Sequence, residues 1–486
     1  MSVPLFILAW VVIPLILLYL SKLLWKVYLD SFKDDNCKLP LPPGSYGWPF
    51  IGNSLALARS MKSTSADYYT ELTKKYGPVY KSHLFGKPMV RVRGESLIGS
   101  LMVKDHTNFG VAWMKNVKEL IGPFALTNTP LPLHKERRNR VKQAFTPDAL
   151  EDYTKHLRQT IEKEVKQWTK QKEIMTYDAM ETLAFSAACE IIIGLPIDLL
   201  DPKKLASDFN EYLNGFFTLP LNLPGTPFNK GIKARKSLIN TLHPFIQDLI
   251  TGNIKRDGKI RSSGLDFIMS AHRDNEDTVT ESEIADRILE LLFAGHKTVA
   301  SAATSLVMFL GQNPGVAHKI EKELEENDIQ NISDFTYLKI STLPYLGDVI
   351  KETLRMQPPA GAMIRQASKT LEVGGYQIPA GWLVACSIKE THDFDDTWDQ
   401  EDRDKFKPDR WKTLDKPYRT RYGFIPFGVG PRICIGRTYA DIFLRVLAIY
   451  LVWECDIELK NPNPFMKRFP IRHPADHLPA TFVSKP

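Results

Sequence analysis

The chain has 486 residues, 43% of them apolar and 24% charged, so it can bury a large core. Its formal charge of +7 is spread along the sequence and meets no recognition motif, which argues against nucleic acid and for an acidic membrane or protein surface as partner. Five widely spaced cysteines without a CxxC pair argue against structural zinc and for free thiols in a reducing compartment.

The first element is an apolar run, VPLFILAWVVIPLILLYL (3–20), followed by Lys22 and Lys26. Its length suits a membrane span, and the basic residues behind it favour a cytosolic body, so residues 3–21 are predicted to be a single-span anchor. KLPLPPGSYGWPFIGN (38–53) is rich in proline and glycine and reads as a stiff, non-helical hinge. Strands are predicted at VYKSHLF (79–85) and PMVRVRG (88–94). From about 135 to 270 the pattern is helical, most clearly in DALEDYTKHLRQTIEKEVKQW (148–168), where apolar residues recur every three or four positions. TESEIADRILELLFAGHKTVASAATSLVMFLGQNP (280–314) opens with a capping box, Thr280 and Glu283, and stops near Gly311 and Pro314. One helix of about 30 residues would run roughly 45 Å, the spine of a large core. No repeat or low-complexity linker divides the chain. The reading is therefore mainly α with a smaller β region, with one catalytic domain over 54–486 behind the anchor and hinge.

The strongest chemical signal is FIPFGVGPRICIGRTYADIFLRVLAIYLVWECDIEL (424–458). Gly428 and Gly430 permit a tight turn and close approach. Cys434 stands just before an amphipathic helix, whose positive end favours a thiolate. Phe427, Gly428, Gly430, Arg432, Cys434 and Gly436 together resemble FGxGxRxCxG, the haem-binding loop of the cytochrome P450 monooxygenases. KETLR (351–355) resembles the family's ExxR motif through Glu352 and Arg355, and FKPDRW (406–411) resembles the segment supplying a second arginine, Arg410. The resemblance implies that these three form a buried ion network, in which no charge can be left unpaired without cost. LHKERR (133–138) resembles the segment that meets a haem propionate, here through His134 and Arg138, although the commoner tryptophan is absent at 134. Arg365 is a further propionate partner by the same resemblance.

The resemblance covers nearly the whole chain. It implies the cytochrome P450 fold, haem b ligated by the Cys434 thiolate, O₂ chemistry at that haem, and electrons from an NADPH-dependent flavoprotein reductase docking on the basic side, where KERRNRVK (135–142) is a candidate surface. It also implies the endoplasmic reticulum membrane as location. YKSHLFGKPMVRVRG, AWMKNVKELIGPFAL, GYQIPAGWLVACSIKETHD and PADHLPATF are most similar to the retinoic-acid hydroxylases and their relatives, a clan acting on retinoids, sterols and terpenoids. Trp113, Phe216, Phe217 and Phe293 are pocket candidates, with Arg91 a candidate partner for a substrate carboxylate.

In the family the long helix crosses the distal haem face as (A/G)Gx(D/E)T. Ala294, Gly295 and Thr298 fit it, whereas Lys297 stands where an acid is expected to relay protons. His296 reads as a packing residue. The helix AMETLAFSAACEIIIGLP (179–196) is expected to lie alongside, and a charge swap would pair Lys297 with its Glu190. Three functions stay open: a monooxygenase using Thr298 and water; a haem-thiolate isomerase or dehydratase that does not need the relay; and a haem-binding sensor or carrier without turnover.

Overall fold

The computed structural model describes residues 3–62, 68–84, 86–103, 105–131, 133–195, 201–251, 263–266, 268–269, 279–331, 334, 336–398, 401–414 and 421–485. Phe85 and Pro196, each at the end of an element expected from sequence, lie outside them. The chain divides into two compact units: Met1–Ala112 with Ala362–Thr397 and Arg419–Phe424, and Trp113–Gly361 with Trp398–Tyr418 and Ile425–Pro486. Both are threaded by several stretches of chain, so no linker in the sequence marks a division.

The first unit begins with helix α1, Val3–Asp30, whose stretch Val12–Asp30 has a mean hydropathy of 1.7 and is long and apolar enough to cross a membrane. The helix outlasts the expected anchor by nine residues, because Lys26 and Asp30 pair one turn apart at 2.9 Å and extend it past the apolar run. Its last residue is fastened to the unit it serves: Tyr46 Oη donates to Asp30 at 2.8 Å and Lys81 Nζ reaches the same carboxylate at 3.3 Å. Trp25, five residues earlier, packs on Phe50 with ring centroids 5.1 Å apart. The Pro/Gly-rich segment is docked rather than free, since Lys81 N–H donates to the Pro43 carbonyl at 2.7 Å.

The unit's five-stranded sheet runs Val79–Leu84, Lys87–Val92, Leu383–Ser387, Ala362–Ala367, Phe109–Gly110 in spatial order. The first pair is antiparallel with Val79 opposite Val92, while Lys87–Val92 lies parallel to Leu383–Ser387. Leu383–Ser387 is buried throughout, as expected of a central strand that is apolar on both faces.

The second unit is mainly helical. Its elements that matter here are α2 (Lys115–Ile121), α3 (Leu133–Val141), α4 (Pro147–Trp168), α5 (Thr176–Ala187), α6 (Pro202–Asn214), α7 (Pro227–Thr251), α8 (Glu281–Gly295), α9 (Lys297–Gln312), α10 (Pro344–Met356) and α11 (Arg437–Glu454). Every residue of α9 from Val299 to Leu310 is buried, and it lies between α5 and α11 at the centre of the core. A small sheet orders Ile174–Met175, Pro479–Ser484 and Cys455–Leu459.

Two expectations are corrected. The long helix is not continuous: α8 stops at Gly295 and α9 starts at Lys297, with His296 between them at φ −83° and ψ −82°. The Thr298 hydroxyl bonds the Ala294 carbonyl at 2.6 Å across that break, a side-chain contact of the kind that bends helices. The Thr280 cap is as expected, its side chain accepting the Glu283 N–H at 3.2 Å. The neighbouring helix also changes character, since α5 passes into a π-helical segment, Ala188–Ile193, that closes on left-handed Gly194.

Candidate active site

The cysteine loop is built by two left-handed residues, Gly428 and Gly430, at φ 75° and 78°, a conformation costly for any side chain with a Cβ. The turn is closed by the Gly428 N–H on the Ile425 carbonyl and the Cys434 N–H on the Phe427 carbonyl, both at 2.9 Å. Cys434 is thereby held outward at the threshold of α11. Of the five free cysteines it alone is exposed. Desolvation raises its thiol pKa, while the Gly436 N–H, Arg138 and Arg437 pull it back toward the thiolate. Iron binding requires that thiolate, and the three positive influences stand where it would form. Cys455, by contrast, is buried and donates to the Leu451 carbonyl at 3.4 Å, and burial pushes its pKa up to about 12. A single accessible sulfur beside cationic side chains fits a haem iron.

α3 brings His134 and Arg138 to this region. His134 is buried in the helix, and Arg138, half-buried, lies close enough to Cys434 for the two charges to act on each other. Arg432 Nη2 donates to the Thr129 carbonyl at 2.8 Å, tying the cysteine loop to the segment before α3. Arg365 belongs to the other unit, on strand Ala362–Ala367, where its Nη1 donates to the Ile364 carbonyl at 3.1 Å.

The ion network is fully assembled on α10. Glu352 is 0% exposed and its two oxygens receive five donors: Arg355 Nε and Nη2, each at 2.9 Å, Arg410 Nε at 2.8 Å, Trp411 Nε1 at 3.1 Å and the Lys407 N–H at 3.1 Å. Arg410 extends the net to the carbonyls of Asp402 and Lys405, at 2.6 and 3.0 Å. A buried carboxylate so completely satisfied is stable only as a set. Trp411 stands inside the FKPDRW segment, but its donor role is visible only in space.

On the other side of the helical core, Phe293, Ala294, Gly295 and Thr298 flank the α8–α9 break. Ala294 is exposed and Phe293 and Thr298 half-buried. Because Thr298 commits its one O–H to Ala294, the hydroxyl presents lone pairs and can accept a hydrogen bond. A Cβ at Gly295 would meet Ile192 and Ala188 at 3.5 and 3.8 Å, ordinary contacts, so packing does not demand glycine there. Phe216 stacks on Phe293 with centroids 4.7 Å apart, and Phe217 meets Phe469 edge-on at 5.2 Å. Trp113, half-buried, precedes α2.

Lys297 does not pair with Glu190. Its ammonium is hydrogen-bonded to the Glu181 carboxylate on α5. Glu181 lies on the α-helical part, α5, whereas Glu190 falls in the π-helical segment that follows, where the regular α-helical period no longer sets which face a residue takes. His296 packs between Phe185 and Phe209, at 5.3 and 5.7 Å, and its pKa is lowered to about 4, by burial first and by Lys297 second. Arg91 is also corrected as a carboxylate receptor. Its Nη2 is already held by Glu390 at 2.6 Å and Ser387 at 3.2 Å, with its guanidinium 3.8 Å over the Tyr69 ring. A substrate carboxylate would have to displace a buried ion pair.

Sequence reasoning missed a second pair of carboxylates, Asp286 and Glu290, one turn apart on α8. Glu290 accepts the N–H groups of Leu126 and Thr127, both at 2.7 Å, and Asp286 accepts that of Phe124 at 3.0 Å and binds Arg235. Gly122, at φ 98°, is glycine because a Cβ would stand 2.1 Å from Asp286 Oδ1. These bonds hold the segment from α2 toward Thr129, the residue that Arg432 also grips.

The profile of the family described as Cytochrome P450 matches residues 42–474. Cytochrome P450 26A1 of Gallus gallus is 35% identical over 482 residues, covering 97% of this chain and 96% of its own. Cytochrome P450 26B1 of Xenopus tropicalis is 33% identical over 477 residues, covering 96% of this chain and 91% of its own. Among solved structures, a retinoic acid-bound cyanobacterial CYP120A1 superposes with a TM-score of 0.81 at 29% identity, covering 92% of this chain and all of the other. The chain belongs to the cytochrome P450 family. It is a haem-thiolate monooxygenase with the fold of that family, and its one N-terminal apolar helix suits a membrane anchor.

Proposed function

We propose that this monooxygenase hydroxylates an apolar isoprenoid-derived lipid, a retinoid before a sterol or terpenoid, with Cys434 as its iron ligand. The observation that carries the substrate class is the retinoic acid held by the cyanobacterial relative, whose fold this chain shares along 92% of its length. Phe293, Phe217 and Trp113, each half-buried, supply the aromatic surface that a conjugated chain requires, and the fully buried Phe216 stacks behind Phe293 to stiffen it.

When bound, the haem supplies O₂ activation for insertion into a C–H bond, and the axial thiolate promotes it. The chain's own residues do the rest. Burial raises the Cys434 pKa, and the Gly436 N–H, Arg138 and Arg437 offset part of that rise, favouring the thiolate that an iron would bind. His134, Arg138 and Arg432 are the residues of the second unit that would meet the propionates. Thr298 offers lone pairs to a water at the helix break, and Ala294 leaves space beside it. Electrons come from an NADPH-dependent flavoprotein reductase on a face including the exposed Lys135 and Lys142 of the α3 region. The location that suits such a partner is the endoplasmic reticulum membrane, spanned once, with the catalytic body in the cytosol behind Lys22 and Lys26.

The test is a titration of the haem-loaded protein with retinoic acid, a sterol and a terpenoid, read as the haem spectral shift, followed by turnover with and without reductase and NADPH. A saturable shift with retinoic acid and an NADPH-dependent hydroxylated product are expected. Turnover of an oxygenated lipid without NADPH would replace this reading with that of an isomerase or dehydratase.

A further inference from the structure

We propose that Asn116 is a positioning residue for substrate selection: its side-chain amide fixes the turn that carries Phe216 and Phe217. Asn116 lies on the short helix α2 and is 1% exposed among Val117, Leu120 and Ile121, an apolar setting in which an unpaired amide would be costly. Its Nδ2 donates to the Phe216 carbonyl and to the Thr218 carbonyl at 2.9 Å, with the Gly215 carbonyl at the limit of bonding, 3.5 Å.

These carbonyls belong to the turn that follows the end of α6 at Asn214. The acceptors of this turn are therefore held by a donor from another element, about 100 residues earlier in the chain. Further bonds make the attachment stiff. Tyr212 Oη donates to the Leu120 carbonyl at 3.2 Å, and Arg235 Nε of α7 donates to the same oxygen at 2.8 Å. Helix α2 is thus bolted at its start to the turn and at its end to α6 and α7.

The turn has a limited range of useful positions. Phe216 stacks on Phe293 of α8 with an interplanar angle of 17°, and Phe217 approaches Phe469 at 73°. A shift of the Gly215–Thr218 backbone would carry both rings with it. Asn116 touches neither ring with its amide, so its effect on substrate is exerted through the carbonyls it holds.

The inference rests on the reading above only in taking Phe217 and Phe293 as substrate-facing, with the buried Phe216 backing Phe293, and the experiment separates the two. Asn116→Ala, Asn116→Ser and Asn116→Asp are prepared as full-length, haem-loaded proteins, with Phe216→Ala and the double variant Asn116→Ala/Phe216→Ala. Haem loading and Tm report the fold, and hydrogen exchange over 213–219 reports the turn. Retinoic acid affinity from the spectral shift, kcat, KM and the ratio of hydroxylated positions report selection.

Exchange over 213–219 should quicken in Asn116→Ala. Affinity should fall about tenfold with a smaller change in kcat, the product ratio should broaden, and Asn116→Ser should be milder. Asn116→Asp should be the most affected, since its carboxylate faces carbonyl oxygens. The double variant should bind no worse than Phe216→Ala, because both changes remove the same wall. Asn116 variants that lose Tm but keep affinity and product ratio, while Phe216→Ala loses both, would overturn the role of Asn116. Unchanged affinity in Phe216→Ala would instead overturn the placement of the pocket. If Asn116→Ala and Asn116→Asp fail to load haem, Asn116→Ser with wild-type exchange and product ratio overturns the proposal on its own.

Discussion

Reversing the charge of Lys297 should destabilise the protein through Glu181, and reversing both should restore it. The two side chains are 29% and 18% exposed, between the limits for which ion-pair energies are well known. Exposed pairs contribute about 0.2–1 kcal/mol, and breaking a buried pair costs about 3–5 kcal/mol. Two like charges about 4 Å apart repel by roughly 4 kcal/mol at an effective dielectric near 20, and partial exposure at this site reduces that further. Lys297→Glu should therefore cost about 2 kcal/mol, and Lys297→Gln about 1 kcal/mol. The double variant Lys297→Glu/Glu181→Lys should lie about 1 kcal/mol or more above the sum of its two single changes. The assay is urea unfolding of the four haem-loaded proteins, followed by haem absorbance and far-ultraviolet circular dichroism at two salt concentrations. A Lys297→Glu protein as stable as its parent, or a double variant equal to the sum of the singles, refutes the pairing. The same cycle with Glu190→Arg should show no coupling.

Three further outcomes follow from the geometry. Cys434→Ala should abolish the far-red Soret band of the reduced, carbon monoxide-bound protein, while Cys455→Ala, removing only the thiol bonded to Leu451, should keep it. Glu352→Gln leaves Arg355 and Arg410 buried without their counter-charge, a loss of about 3–5 kcal/mol that should appear as failure to load haem on expression. His296 is held near pKa 4 against about 6.5 when unfolded, so the unfolded state binds more protons between those values and stability falls as pH is lowered from 6.5 toward 4. The loss should approach about 3 kcal/mol, and His296→Phe should flatten it in denaturation curves taken from pH 7 to pH 4.5.

What could be read from the sequence was local. The cysteine loop concentrates six specified residues in ten positions, and the Glu352–Arg355 pair is set by helical spacing, so both are legible without coordinates. Pro147–Trp168 was legible because its apolar period is regular over several turns. The break at His296 was not, because nothing in AGHKTVAS marks it beyond one glycine, and a threonine hydroxyl bonding back to Ala294 becomes visible only once the helix exists. Lys297 could be recognised as a charge needing a partner, but choosing between Glu181 and Glu190 required the phase of α5 against α9. Asn116, Asp286 and Glu290 act on backbone groups far away in sequence, and backbone acceptors have no letter in the sequence. Arg91 misled for the opposite reason, since its partner Glu390 is almost 300 residues distant.

The fastening of Asp30 to Tyr46 and Lys81 changes what the apolar helix does for the enzyme. A flexible leash would only confine the body near a bilayer, leaving it to tumble and present every face in turn. A helix whose final residue is locked into the unit it carries also transmits direction, so that tilting the helix tilts the sheet. Under the proposed function, an electron donor embedded in the same bilayer would search in two dimensions for a target that holds a preferred heading. Loosening the clasp, as by Asp30→Ala, would restore the missing rotational freedom and slow productive encounters without altering the haem loop, the aromatic wall or the amount of protein on the membrane.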